Sequence, residues 1–168
     1  MQQSSSSSKK AAVPPYNGAP YHDLVRWCDA YDQKLIDKDE LLGRLQKREQ
    51  FYQERRQGAL NVEAGDDVKA MFQEELRVGL MGIDSLINAV RELQQWLESG
   101  EYYLRNQGLA RAESACHMMH KAMTLNCESM HTIMESAEEF INSQTGAGDS
   151  ASFNGDLGLI GGMNITGF

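Results

Sequence analysis

The alternation of apolar and polar residues follows a helical period along most of the chain. Apolar residues recur every three or four positions, the spacing that places them on one face of a helix. This spacing predicts four helices, over residues 21–36, 37–58, 66–99 and 101–143. No segment shows the strict alternation that indicates a strand. The sequence therefore predicts an all-α fold, a four-helix antiparallel bundle within residues 21–144.

Capping residues mark the boundaries of these helices. Asp37 and Glu40 have the spacing of a capping box, and the acidic Asp66 suits the positive end of a helix dipole. Ser99-Gly100 ends the third predicted helix and permits a short reversal. At about 1.5 Å per residue, the third and fourth helices span roughly 50 Å and roughly 65 Å, so they predict a long antiparallel hairpin.

Three glycines lie within this hairpin. Gly79 and Gly82 each cost about 1 kcal/mol relative to Ala inside a helix, so we expect another backbone to approach closely there. We expect Gly108 to divide the fourth helix into a short turn and a long helix. Because the first two helices cover only part of the hairpin, we expect its uncovered part to self-associate. The predicted packing seam comprises Leu80, Ile83, Ile87, Val90, Met119, Met123 and Met130.

Both ends of the chain differ in composition from the helices. Residues 1–20 contain a run of five serines and the Pro14-Pro15 pair, and such a segment buries too little apolar surface to offset its ordering entropy. We predict a disordered arm over residues 1–20 and a flexible, Gly-rich tail over residues 145–168. An apolar motif in this tail is expected to contact the helical body or a partner protein. Its residues are Leu157, Leu159 and Ile160.

The charge of the chain narrows the classes of partner. The formal net charge is −8, residues 21–145 carry 22 acidic and 14 basic residues, and no Lys or Arg follows Lys121. Such an acidic surface repels phosphate backbones, so we expect no nucleic acid partner. No run reaches the roughly 18 apolar residues of a membrane span, and the absence of an apolar leader predicts a cytoplasmic protein. Three scattered cysteines do not indicate a disulfide framework.

The window between Cys116 and Met134 is rich in metal-ligating residue types. On a helix its histidines and one glutamate share a face of about 80°, and imidazole with carboxylate is a ligand set for iron, copper or zinc. The candidate metal ligands are His117, His120, Glu128 and His131. A structural interpretation, without any cofactor, stays open beside this one. In it the methionines fill the core and His131 pairs with a neighbouring glutamate.

The C-terminal tail contains the segment Gly155-Asp156-Leu157-Gly158-Leu159. This segment resembles the cargo-loading peptides that direct enzymes into encapsulin shells, which follow a Gly/Ser linker and present small and aliphatic residues. The resemblance implies a shell-loaded cargo protein. The chain departs from the pattern because nine residues follow the segment, none of them basic. A solvated tail remains the alternative interpretation.

Three functional hypotheses follow from the sequence. The first is a non-enzymatic helical interaction protein, an adaptor, scaffold or assembly component that forms homo-oligomers through the long hairpin and contacts other proteins. The second is a metal-binding four-helix protein, such as an encapsulin cargo. The third is a substrate or accessory protein of a secretion system, exported without a cleaved signal peptide, which the polar N-terminal arm would allow.

Overall fold

A computed structural model describes residues 13–61 and 63–145, with side chains to residue 143. The described residues form an all-α bundle without strands, as predicted, but with five helices rather than four. These helices are α1 (Ala19–Asp32), α2 (Lys38–Leu60), α3 (Asp66–Met71), α4 (Gln73–Ser99) and α5 (Tyr102–Thr145). No helix of the described chain is long and apolar enough to cross a membrane.

The α4–α5 hairpin is the centre of the bundle. Its turn is made by Gly100, whose φ of 77° is the left-handed conformation that glycine adopts at low cost. The Gly100 N–H donates to the Trp96 carbonyl at 2.8 Å, so the predicted end at Ser99-Gly100 is confirmed. In the core, large side chains of α4 meet small ones of α5. The fully buried members of this interface are Leu86, Ala89, Val90, Leu93, Ala112, Ala115 and Ala122.

Close approach of the two helices occurs at glycines. A Cβ added at Gly82 would lie 2.7 Å from the Met119 sulfur and 3.4 Å from the Ala115 carbonyl oxygen, which confirms the close approach predicted there. At Gly108 the added Cβ would lie 2.9 Å from the Ala89 carbonyl oxygen. The prediction that Gly108 divides the last helix is wrong, because α5 is continuous from Tyr102 to Thr145. Gly108 is instead a second point of close contact.

Helices α1 and α2 cover only one end of the hairpin. Helix α2 runs antiparallel to α4, and this register is held by Arg56–Asp84 at 2.6 Å and Arg91–Glu49 at 2.7 Å. Helix α1 lies against α5. Its buried side chains, together with those of α2, complete the core at this end. They are Leu24, Cys28, Leu41, Leu45 and Tyr52.

Two helix ends differ from the predictions. The first helix was predicted to reach residue 36 but ends at Asp32, because Lys34 takes a φ of 59° and reverses the chain in a Schellman-type motif. The Leu35 N–H then donates to the Ala30 carbonyl at 2.8 Å. The third predicted helix is broken at Phe72, where a φ of −105° departs from helical values and the ring lies 6% exposed. This break separates α3 from α4.

The N-cap predicted at Asp37 is confirmed. Asp37 is the N-cap of α2, and its Oδ1 accepts from the Glu40 N–H at 2.8 Å. The Glu40 carboxylate pairs with Arg44 at 2.6 Å. The N-terminal boundary lies earlier than predicted, since α1 begins at Ala19 and Pro20 is buried. The rest of the predicted arm, residues 1–12, lies outside the described residues.

Candidate functional site

Helix α5 extends well past the start of α4. Ser129 donates a hydrogen bond to the buried carboxylate of Glu75, in the first turn of α4, and so marks where the two helices stop running side by side. Beyond Ser129, α5 continues to Thr145. This continuation has a length of roughly 24 Å at about 1.5 Å per residue. We call residues 130–145 the α5 overhang.

The apolar stripe of α5 continues into the overhang. Met130 and Ile133 are half-buried, but Met134 is 56% exposed and Phe140 is 64% exposed. In the body of the hairpin, the same stripe packs Ala115 and Met119 against α4. The overhang therefore carries the side-chain pattern of a helix–helix interface without the burial that such an interface gives.

Charged residues occupy the opposite side of the overhang. At about 100° per residue, Glu135 and Glu139 lie roughly 160° from the centre of the apolar stripe, and Glu138 lies roughly 100° from it, at its edge. His131 Nε2 lies 3.1 Å from the Glu135 carboxylate, and the remaining carboxylates are exposed. The overhang is thus an amphipathic helix with one apolar and one acidic face.

The residues of the predicted seam are mainly buried within the chain. Ile83, Ile87, Val90 and Met119 are buried in the core, and the other three are half-buried. The half-buried members are Leu80, Met123 and Met130. The buried members of the seam therefore pack within the chain rather than presenting a free surface, whereas Met130 begins the α5 overhang. The predicted tail residues Leu157, Leu159 and Ile160 lie outside the described residues.

The structure does not bring the four candidate metal ligands together. His117 stacks on Tyr16 with ring centroids 4.7 Å apart, and His131 faces Glu135. Along the helix axis, His120 and Glu128 are separated by roughly 12 Å, too far to share one ion. Within residues 13–61 and 63–145, no group of three or more His, Cys, Asp or Glu side chains is placed to hold a metal ion.

Tyr16 has a packing role that its sequence position did not predict. Its ring stacks on His117 with an interplanar angle of 17° and meets His120 edge-on at 5.8 Å. Gly18 is buried beside it, and an added Cβ would lie 3.0 Å from the His22 ring. The sequence feature that could have indicated this contact is an aromatic residue directly after Pro14-Pro15, but it lies in a segment that we interpreted as disordered.

The cysteines are placed as structural residues. Cys28 and Cys116 are buried, and desolvation by burial raises the pKa of both thiols, that of Cys28 to about 12. A thiol with a raised pKa is a poor nucleophile at neutral pH because the thiolate is the reactive form. Cys127 is half-buried on α5.

Comparison with known proteins identifies no similar protein. No family model matches the chain, and no curated protein or solved structure is significantly similar to it.

Proposed function

We propose that the protein is a non-enzymatic helical interaction protein, an assembly component that associates with a second copy of itself through the α5 overhang. The observation that carries the proposal is the continuation of the α5 apolar stripe past the start of α4, where Met134 and Phe140 are exposed.

The side-chain pattern of the overhang favours a second copy as the occupant. In the body of the chain, this stripe already packs against an antiparallel helix. Two overhangs placed antiparallel about a two-fold axis present the same stripe to each other, which is the self-complementary geometry of an isologous contact. Glu135 and Glu139 lie on the side away from this contact and Glu138 at its edge, so the two copies bring no like charges into its centre.

Helix α3 adds apolar surface at the same end of the hairpin. Val68 is 41% exposed and Met71 is 53% exposed, directly before the start of α4. An overhang of about 24 Å and a helix diameter of about 10 Å limit the contact to roughly a few hundred Å² per copy, which is small for a specific interface. We therefore expect a reversible dimer that dissociates in the micromolar range.

The experiment compares matched variants by size-exclusion chromatography with light scattering. Phe140→Glu places a carboxylate in the proposed contact, so its molar mass should stay that of a monomer at concentrations where the wild-type chain dimerises. Tyr103→Glu is the control, because Tyr103 is an aromatic residue of the same helix with 61% exposure at the opposite end. Circular dichroism verifies that both variants keep their helicity. Equal dimer fractions in the two variants would overturn the proposal.

A further inference from the structure

The apolar stripe of the α5 overhang is symmetric about Ala137. Apolar residues stand three and four positions before Ala137 and again three and four positions after it. These residues are Ile133, Met134, Phe140 and Ile141. At about 100° per residue, all of them lie within roughly 60° of Ala137 around the helix. Two antiparallel overhangs with both Ala137 residues on the two-fold axis therefore face each other with apolar residues along their whole length.

The length of the overhang selects the same axis. Ser129 donates to Glu75 at the start of α4, and α5 ends at Thr145, so Ala137 is the midpoint between Ser129 and Thr145. In the register centred on Ala137, the end of one α5 lies beside Ser129 of the other copy, where α4 begins. Each overhang then covers the other over its full length of roughly 24 Å without meeting α4.

The register on one side of this axis collides with α4. A shift that places Ile133 opposite Met134 of the other copy also keeps apolar residues together, but it moves the end of the second α5 to Ala122. Helix α4 already occupies that position, because Ala122 is buried and its Cβ would lie 3.8 Å from a Cβ added at Gly79.

The register on the other side leaves apolar surface uncovered. It places Phe140 opposite Ile141 of the other copy and reduces the overlap to roughly 15 Å at about 1.5 Å per residue. Met134, which is 56% exposed in the single chain, then stays exposed. The register centred on Ala137 is thus the one that covers the stripe and avoids α4.

The chain itself leaves open the position beside the overhang. Helix α4 begins at Gln73, after the break at Phe72, and no residue of α3 is buried. Helix α3 therefore does not cover the apolar stripe as a longer α4 would. Because α4 and α5 are antiparallel, a second α5 placed antiparallel to the first has the direction of that longer α4.

A small residue at the axis matches the way α5 packs in the hairpin. The fully buried residues of α5 that lie on the same stripe include Ala112, Ala115 and Ala122. At about 100° per residue, each lies within roughly 60° of Ala137 around the helix. Because the distance between packed helices depends on the side chains at the contact, Ala137 allows two overhangs to approach as closely as α4 and α5 do.

We propose that the overhang of a second copy occupies the place of a longer α4, in the register that puts both Ala137 residues on the two-fold axis. This inference rests on the proposed self-association and gives it one defined register. The dimer is then elongated, and the hairpin turns at Gly100 of the two copies are separated by roughly 110 Å along α5.

Disulfide cross-linking locates the axis. Met134→Cys, Ala137→Cys and Phe140→Cys are each made in a Cys127→Ser background, in which the two remaining native cysteines are buried. A disulfide needs Cα atoms within about 7 Å. In the proposed register the two Ala137 positions meet, whereas the two Met134 positions, and likewise the two Phe140 positions, are roughly 9 Å apart along the helix axis.

Ala137→Cys should therefore form the covalent dimer about tenfold faster than the other two variants, at concentrations where sedimentation shows each of them to be dimeric. Glu139→Cys, on the outer face of the same helix, is the control for random collision and should react slowest. Fastest linkage at position 134 or 140 would indicate a neighbouring register, and equal linkage at all three positions would indicate a parallel pair. Each of these results would overturn the proposal.

A distance between spin labels gives an independent measure of the register. Lys121 is exposed, so a label on Lys121→Cys in the same background leaves the contact unchanged. In the proposed register the two labels are roughly 48 Å apart along the α5 axis, and a neighbouring register changes this by roughly 10 Å in either direction. Pulsed electron double resonance should give a distance near 50 Å. A distance near 40 or 60 Å, or a short distance from labels side by side in a parallel pair, would overturn the proposal.

Failure of the register and failure of the self-association give different results. If the wild-type chain dimerises but Ala137→Cys links no faster than Glu139→Cys, the register is wrong and the self-association stands. If the wild-type chain stays monomeric at every concentration, the self-association is wrong and the register falls with it.

Discussion

Gly108 provides the sharpest test of the hairpin geometry. The added Cβ in Gly108→Ala would lie 2.9 Å from the Ala89 carbonyl oxygen and 3.1 Å from Leu93 Cγ. The first contact involves backbone, so no change of rotamer relieves it and the two helices must separate. Overpacking of this kind costs typically about 1–3 kcal/mol, here toward the upper end, while Ala gains about 1 kcal/mol of helix propensity. We expect a net loss of about 1–2 kcal/mol in the free energy of unfolding.

Urea denaturation followed by circular dichroism measures this loss. Gly43→Ala in α2 is the matched control, because no described atom lies within 4 Å of its added Cβ. It should therefore stabilise the protein by about 0.5–1 kcal/mol. The change in unfolding free energy of Gly82→Ala should lie between those of Gly108→Ala and Gly43→Ala, because the closest atom to its added Cβ belongs to the flexible Met119 side chain. If Gly108→Ala stabilised the protein as much as Gly43→Ala does, the close approach of the two helices at Gly108 would be refuted.

Three further predictions concern buried groups. Ser129→Ala removes the hydroxyl that donates to buried Glu75, so urea denaturation should show a loss of about 1–3 kcal/mol in the free energy of unfolding. Ser129→Thr keeps a hydroxyl, and an equal loss in that variant would contradict this role. At about pH 8, iodoacetamide should modify half-buried Cys127 well before buried Cys28, and mass spectrometry showing equal rates would contradict the burial of Cys28. Burial raises the pKa of the Cys28 thiol in the folded state to about 12. The stabilisation that the buried neutral thiol gives the folded state is therefore complete below the ordinary thiol pKa of about 8.5, and it is lost as the pH rises from about 8.5 to about 12. The unfolding free energy of Cys28→Ala should therefore fall less steeply between these pH values, and an unchanged slope would argue against the raised pKa.

Features of the fold that depend on local sequence were predictable. The N-cap at Asp37 and the stop at Gly100 rest on hydrogen bonds that backbone N–H groups donate to the Asp37 side chain and to the Trp96 carbonyl, both within a few residues, so the residue type is enough to locate them. The close approach at Gly82 was expected from the cost of glycine in a long helix and is confirmed, but the same expectation for Gly79 is wrong, because the nearest atom to its added Cβ is the Ala122 Cβ at 3.8 Å. The all-α class and the long hairpin rest on the same local periodicity.

Features that depend on tertiary contacts were not predictable. The break at Phe72 buries an aromatic ring, and nothing in the neighbouring sequence distinguishes it from a helical position. Leu35 fits the helical period of α1, yet the reversal at Lys34 leaves it 72% exposed. Tyr16 was assigned to a disordered arm because its partners, His117 and His120, are about a hundred residues away in the chain.

The sequence predicted that part of the hairpin would be uncovered, but not where that part lies. The sequence indicated that α1 and α2 would leave part of the hairpin uncovered, and the structure places that part at the α5 overhang. The sequence could not show that the predicted seam residues around Ile87 and Val90 are buried within the chain. Periodicity identifies an apolar face, whereas the relative lengths of α4 and α5 decide where that face lacks a partner.

Sedimentation velocity on the wild-type chain, over a concentration series from about 1 to about 200 µM, tests the central claim most directly. The proposed overhang contact predicts a reversible shift of the sedimentation coefficient from monomer to dimer within this series, and no further growth, because a two-fold contact closes on itself. A single monomeric species at every concentration would contradict self-association through the α5 overhang.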